Sequence, residues 1–143
     1  MNTDDLLIFM SEDELNKISE TIIGCSYAVG NALGNGFLEK VYENALAFEL
    51  IEKNLNVKQQ HPINVYYKNR VVGEYIADLL VENKVIVELK TVKGIDEIHL
   101  AQCLNYLKAT NLPLCLLINF GKPRVEVKRV FQSVNLRNIF KVN

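Results

Sequence analysis

Between Tyr75 and Val92 lie two apolar runs rich in β-branched residues, and they carry Asp78, Glu88 and Lys90 where core residues are expected. The polar stretch Glu82-Asn83-Lys84 between them predicts a hairpin with a three-residue loop. Centred on Asn83, that hairpin pairs Val81 with Val85, Asp78 with Glu88 and Ile76 with Lys90. Side chains alternate faces along a strand, so Asp78, Glu88 and Lys90 fall on one side, with Leu80 and Ile86 nearer the turn. The opposite side, including Tyr75, Ala77, Leu79 and Leu89, bears no charge. Two carboxylates facing each other on a half-buried sheet repel and resist desolvation unless a cation sits between them. Oxygen-only ligation favours Mg²⁺ or Mn²⁺ over zinc. An ammonium beside such an ion can orient or deprotonate water and offset charge on a transferring phosphoryl group, which is the chemistry of phosphodiester hydrolysis. The residues alone leave a second reading open, a surface ion-pair cluster in which Lys90 neutralises the two acids.

The elements that must hold these residues can be read from punctuation and periodicity. Ser11-Glu12-Asp13-Glu14 has capping-box spacing and predicts a helix running to about Leu33, with residues 1–10 as a flexible tail. Gly24, Ala28 and Ala32 recur at helical spacing, which predicts a face for close helix packing. Gly34-Asn35-Gly36 breaks the pattern as a turn, and a second helix is expected from about Leu38 to Asn54. Residues Val57 to Tyr67 read as a strand, and Pro62 within it points to a sheet edge. After the hairpin come a helix from about Asp96 to Thr110, strands from Leu114 to Phe120 and Val125 to Phe131, and a polar C-terminal segment. This order predicts an α/β sandwich around a mixed sheet.

On the second helix, Glu39 falls in angle between Leu46 and Leu50, inside an arc that also holds Leu38, Tyr42 and Ala45. A carboxylate in an apolar stripe needs a partner, so Glu39 is read as facing the site. Glu43 is read as surface, becoming the alternative if the helix is rotated. Gln102 and Tyr106 share one face of the later helix, with Ile98, Ala101, Leu104 and Leu107 as its packing stripe. That amide and phenol could orient water or hold a phosphate. His99 is read as a surface residue or a neighbour of the site rather than a ligand.

Composition sets limits. A chain of 143 residues, 49% hydrophobic, fits one globular domain over residues 1–143. The formal net charge of −1 excludes a strongly basic, non-specific nucleic-acid binder, and Lys122, Arg124, Lys128 and Arg129 read as a solvated cluster. Cys25, Cys103 and Cys115 sit in apolar segments, as reduced core residues of a cytoplasmic protein would. With only two histidines, a histidine-rich metal site is poorly supported. No segment has the form of a signal peptide or the length of a membrane span.

The order αβββαβ, with Asp78 on the second strand and Glu88-Leu89-Lys90 on the third, resembles the core of the PD-(D/E)xK nuclease superfamily. More narrowly, Gly36-Phe37-Leu38-Glu39-Lys40-Val41-Tyr42 is similar to the signature of its GxxExxY branch. The similarity continues through His99-Leu100-Ala101-Gln102, Asn105-Tyr106-Leu107 and Ile118-Asn119-Phe120-Gly121. The resemblance implies a restriction-endonuclease-like core with an extra N-terminal helix and a C-terminal strand. It implies that Asp78, Glu88 and the Leu89 backbone carbonyl are metal ligands, with Glu39 as a further candidate. Lys90 would be the catalytic lysine, Glu39 the acidic residue of the first core helix, and Gln102 with Tyr106 the auxiliary Gln-x-x-x-Tyr pair. Ala77 stands where the superfamily usually has proline before the aspartate. The implied function is a Mg²⁺- or Mn²⁺-dependent nuclease whose partner is nucleic acid, DNA first, with no membrane. The alternative is a catalytically inactive nucleic-acid-binding or protein-interaction module that keeps the fold, and a homo-oligomer stays open in either case.

Overall fold

The computed structural model describes residues 3–132, with side chains from residue 12 onward. Helix α1 (Thr3–Leu33) leads through a glycine turn to α2 (Glu39–Glu52), followed by strands β1 (Val57–Tyr67), β2 (Arg70–Val81) and β3 (Val85–Lys90). Helix α3 (Glu97–Thr110) then crosses over to β4 (Leu114–Asn119), and β5 (Glu126–Phe131) completes the sheet. The five strands lie in chain order β1-β2-β3-β4-β5. Only β3 and β4 are parallel, because only they are joined by a helical crossover. Pro62 sits on β1, an edge strand, where a missing N–H can face solvent.

Helix α1 begins at Thr3, not near Ser11. No glycine or proline interrupts residues 3–11, so the capping-box spacing falls inside a continuing helix. The polar C-terminal segment expected from the sequence lies outside the described residues. Gly34 and Gly36 have φ of +68° and +120°, as a glycine turn between helices requires. The small-residue stripe of α1 was expected to pack, yet Gly24, Ala28 and Ala32 are exposed. The close approach is made by Gly30, where an added Cβ would lie 2.3 Å from Val125 Cγ2.

Apolar residues cover both faces of the sheet. Ile22, Leu46, Leu50, Leu79, Val87 and Ile118 belong to a core beneath α1 and α2. Leu80, Ile86, Cys103, Leu107, Cys115 and Leu117 form a second core beneath α3. The face expected to start apolar and end charged is therefore buried near the turn by α3. The stripe of α3 is rotated from that expected: Cys103, Tyr106 and Leu107 are buried, whereas Ile98, Ala101 and Leu104 are exposed.

The loop Glu82–Lys84 closes the hairpin as expected, with Val81 opposite Val85. The β2–β3 ladder then ends at Leu79–Val87, so the expected Asp78–Glu88 and Ile76–Lys90 rungs are not made. A matching break lies on the other side of β2. In the β1–β2 ladder, Gln59 pairs with Leu79 and His61 with Ala77, while Gln60 and Asp78 do not pair. Gln60 has φ of +53° inside the strand. Across this break the strands exchange faces. Leu79 and Val81 lie in the α1/α2 core, but Ala77, of the same parity, lies in the α3 core with Ile63. This corrects the placing of Ala77 beside Leu79: alternation along β2 is interrupted at Asp78, the residue opposite Gln60, whose own backbone in β1 is left-handed.

Candidate active site

Asp78 and Glu88 meet where the two ladders fail, and each carboxylate replaces a lost backbone rung. Asp78 N–H donates to Glu88 Oε1 at 2.9 Å, and Leu89 N–H donates to Asp78 Oδ2 at 2.8 Å. The strands separate because their side chains take the hydrogen bonds that carbonyls would otherwise accept. Glu88 is 4% exposed. Its carboxyl is pushed up to about 8, chiefly by burial and then by the Asp78 charge, against the opposing influence of the Asp78 N–H and Lys90. Asp78 is also raised, first by burial and then by Glu43, with Leu89 N–H, Gln60 and Lys90 acting the other way.

Helix α2 brings the third carboxylate. Tyr42 is fully buried, its hydroxyl donates to Gly34 O at 2.6 Å, and its ring stacks on Phe120 with centroids 4.6 Å apart. Gly36, Glu39 and Tyr42 thus form one device: the glycine allows the turn, and the tyrosine ties the start of α2 to the end of β4. Glu39, one turn before Tyr42, is half-buried, and its carboxyl is raised by burial first and by Asp78 second, with Lys90 lowering it. Lys90 therefore acts on Glu39, Asp78 and Glu88 alike.

Glu43 was read as surface and is instead 3% exposed. The buried stripe of α2 runs through Tyr42, Glu43, Leu46, Ala47 and Leu50, one step round from the expected arc, so Glu39 and Glu43 both point inward. Their partners distinguish them. Glu43 Oε2 accepts from Lys40 at 2.9 Å and Gln59 at 2.7 Å, and Oε1 accepts from Gln60 at 2.6 Å. With both oxygens engaged, Glu43 serves the architecture.

On α3, Gln102 Nε2 donates to Tyr106 Oη at 2.9 Å, bringing the pair together as the spacing suggested. Tyr106 is buried, its hydroxyl donates to Ile76 O at 3.4 Å, and that hydroxyl's pKa is pushed up by burial and then by Glu88 and Asp78. His99 takes no part: its Nδ1 accepts the Asp96 N–H at 3.1 Å, and Asp96 caps α3 in return. Lys84 is engaged with Glu14 of α1, away from the site. The C-terminal basic residues form no single patch, for Lys128 and Arg129 are adjacent on β5 and Lys122 pairs with Glu126 at 3.8 Å.

Sequence reasoning missed two further contributors. Asn119 is fully buried; its Oδ1 accepts from Val92 N–H at 3.0 Å, and its Nδ2 donates to Val92 O at 2.9 Å. Phe120 N–H donates to Lys90 O at 2.8 Å, so the β4 end clamps the chain leaving β3. Gly121 permits this contact, since an added Cβ would lie 2.4 Å from Val92 N. Gln60 is the second, bridging Glu43 and Asp78 Oδ1, the latter at 3.3 Å. An Asn-x-Gly at a strand end was a visible signal for the first; nothing in the sequence marked Gln60.

Among the described residues, no three His, Cys, Asp or Glu side chains are grouped closely enough to hold a metal ion by themselves. The donors nevertheless suit a hard cation. Asp78 and Glu88 supply oxygen alone, and burial holds their protons and that of Glu39 more tightly than usual, so a cation that bound there would favour their ionised forms. Magnesium is commonly held by one or two carboxylates, with its other positions filled by water and substrate oxygens.

A sheet of this order, with an acidic pair and a lysine where its central strands part, is an α/β nuclease architecture. The chain belongs to the PD-(D/E)XK nuclease superfamily, whose family model matches residues 16–130. Members of this superfamily usually use divalent metals. No curated protein sequence matches the chain. Solved structures that share the fold include the following two. The alkaline exonuclease LHK-Exo from Laribacter hongkongensis aligns with a TM-score of 0.51 and 14% identity, over 72% of this chain and 60% of that one. SSO0001 aligns with a TM-score of 0.53 and 19% identity, over 72% of this chain and 55% of that one. The chain therefore spans little more than half the length of either. No helix among the described residues is long and apolar enough to cross a membrane.

Proposed function

We propose that this chain is a divalent-metal-dependent nuclease of the GxxExxY branch that hydrolyses phosphodiester bonds in DNA, and that its 143 residues act as one domain. The observation that supports this reading is the meeting of Asp78 and Glu88 through each other's strands where the β2–β3 ladder stops, with Glu39 and Lys90 both bearing on their charge. Asp78, Glu88 and the Leu89 carbonyl would hold Mg²⁺ or Mn²⁺, and Glu39 is a further candidate ligand whose charge bears on the pair. Bound there, such an ion would polarise a phosphoryl oxygen and favour ionisation of water. Lys90 orients the attacking water and offsets charge that builds on the phosphoryl oxygens. Water oxygen bonds to phosphorus as the P–O bond to the leaving nucleotide breaks; the attacking water releases one proton to solvent, and the leaving oxygen takes one up from solvent. Gln102 orients the Tyr106 hydroxyl beside the acidic pair, and that burial keeps the phenol protonated as a donor.

Incubation of single-stranded, duplex and branched DNA and RNA with Mg²⁺ or Mn²⁺ tests the proposal. Cleavage of DNA by the wild type, abolished in Lys90→Ala with the fold intact, is the expected result. Undiminished cleavage by Lys90→Ala would refute the assignment of the lysine.

A further inference from the structure

Gln60 sits at an unusual place. It lies inside an eleven-residue strand, yet its φ is +53°, a strained region that non-glycine residues seldom enter. Ladder pairs persist on both sides of it with the same register, so the chain does not slip here; one rung alone is lost. That rung is Gln60 with Asp78. The Gln60 side-chain Nε2 donates to Glu43 Oε1 at 2.6 Å and to Asp78 Oδ1 at 3.3 Å. On the other side of β2, the other Asp78 oxygen accepts Leu89 N–H. The Asp78 carboxylate is thus held from two strands and, through Glu43, tied to α2.

We propose that Gln60 is a positioning residue: its left-handed backbone opens β2 at Asp78, and its amide, anchored on Glu43, fixes the Asp78 carboxylate toward β3. The use of that carboxylate as a metal ligand rests on the nuclease reading above, whereas the fixing of its orientation does not. A kink that merely shields a sheet edge would need the backbone alone. The two paired carboxylates give the amide a purpose that edge protection lacks. Gln60 is itself exposed, so shortening it opens no buried cavity.

Two variants separate these roles. Gln60→Gly accepts the positive φ and deletes the amide, and Gln60→Glu keeps the length but replaces the donor with a third acceptor facing Glu43 and Asp78. Three measurements apply to the wild type and both variants: melting temperature, hydrogen exchange of the Leu89 amide by NMR, and Mn²⁺ affinity by calorimetry. The expected result for Gln60→Gly is a melting temperature within about 3 °C of wild type, because glycine accepts the positive φ without strain. Leu89 exchange is expected to rise about tenfold or more while β4 amides are unchanged. Mn²⁺ affinity is expected to fall about 10–100-fold, as when the groups that orient metal ligands are removed. Gln60→Glu is expected to move the last two readouts in the same direction. Leu89 exchange unchanged in Gln60→Gly would overturn the proposal whatever the metal does. A wild type that takes up no Mn²⁺ would instead overturn the nuclease reading, with Leu89 exchange still deciding the role of Gln60.

Discussion

Glu88 makes the metal-free protein sensitive to pH in a direction opposite to that of most carboxylates. A salt-bridged acid has a depressed pKa and strengthens a fold as pH rises. Glu88 is raised from 4.5 to about 8 by burial beside Asp78, so its protonated form is the one the folded state prefers. Its contribution is fully present below about pH 4.5 and is lost as pH rises toward about 8. At about 1.4 kcal/mol per unit, a difference of about 3.5 sets a ceiling near 5 kcal/mol, and repulsion shared with Asp78 and Glu39 lowers what Glu88 alone supplies to about 2–4 kcal/mol. That is a large part of the 5–15 kcal/mol typical of a folded domain. Glu88→Gln keeps an oxygen for Asp78 N–H and removes the charge. Urea unfolding with chelator present, at matched ionic strength from pH 5 to pH 9, is the assay. The wild type should lose stability across this range relative to Glu88→Gln, and saturating Mg²⁺ should abolish much of the loss. Parallel curves for the two proteins would refute the argument that Glu88 is strained by charge.

Two further outcomes can be checked directly. Mg²⁺ or Mn²⁺ should raise the wild-type melting temperature, with a stabilisation of about 2.7 kcal/mol at a hundredfold excess over the dissociation constant. Asp78→Asn, which keeps an acceptor for Leu89 N–H, should remove most of that rise and leave the metal-free protein no less stable; a strongly destabilised variant with no metal response in the wild type would indicate a structural cluster. Gly121→Ala should cost about 1–3 kcal/mol in chemical denaturation, because its Cβ meets the Val92 backbone at 2.4 Å, and a neutral result would show that the loop yields freely.

The element order, the turn at Glu82–Lys84 and the strand boundaries were legible because each rests on a local signal. Examples are a polar triplet between β-branched runs, glycines that adopt positive φ, and a proline on an edge strand. The rotations of α2 and α3 were not legible. Glu43 lies inside the apolar stripe of α2 only because Gln59 and Gln60 of β1 reach across to satisfy it, and a helical wheel contains no β1. Ile98 and Leu104 are apolar yet exposed, and nothing in their own helix tells a solvated leucine from a packed one. The break at Asp78 was hidden for a deeper reason. Pairing by alternation assumes an unbroken ladder on both sides of β2; on the β3 side the acid side chains take the backbone hydrogen bonds, and on the β1 side the lost rung falls at a glutamine with no intrinsic preference for a positive φ.

That break also explains why an acidic pair can exist at the centre of a sheet. In an unbroken antiparallel pair, Asp78 and Glu88 would face each other at a spacing where like charges destabilise, while backbone groups took all the backbone hydrogen bonds. Opening the ladder after Leu79 gives each carboxylate a backbone N–H as partner, and the N–H groups released by the opening lose nothing. One oxygen of each acid is thereby fixed, leaving Glu88 Oε2 and, opposite the long contact from Gln60, Asp78 Oδ1 as the atoms able to engage something else. The arrangement is stable enough to fold and still electrostatically unfinished, since Lys90 is one cation among three carboxylates whose protons are held more tightly than usual. A purely structural ion pair would be expected to depress those acids, as Asn119 and Lys122 do for Glu126. Here burial, more than charge, holds the three protons, so a cation bound at this point would do most to favour the ionised acids.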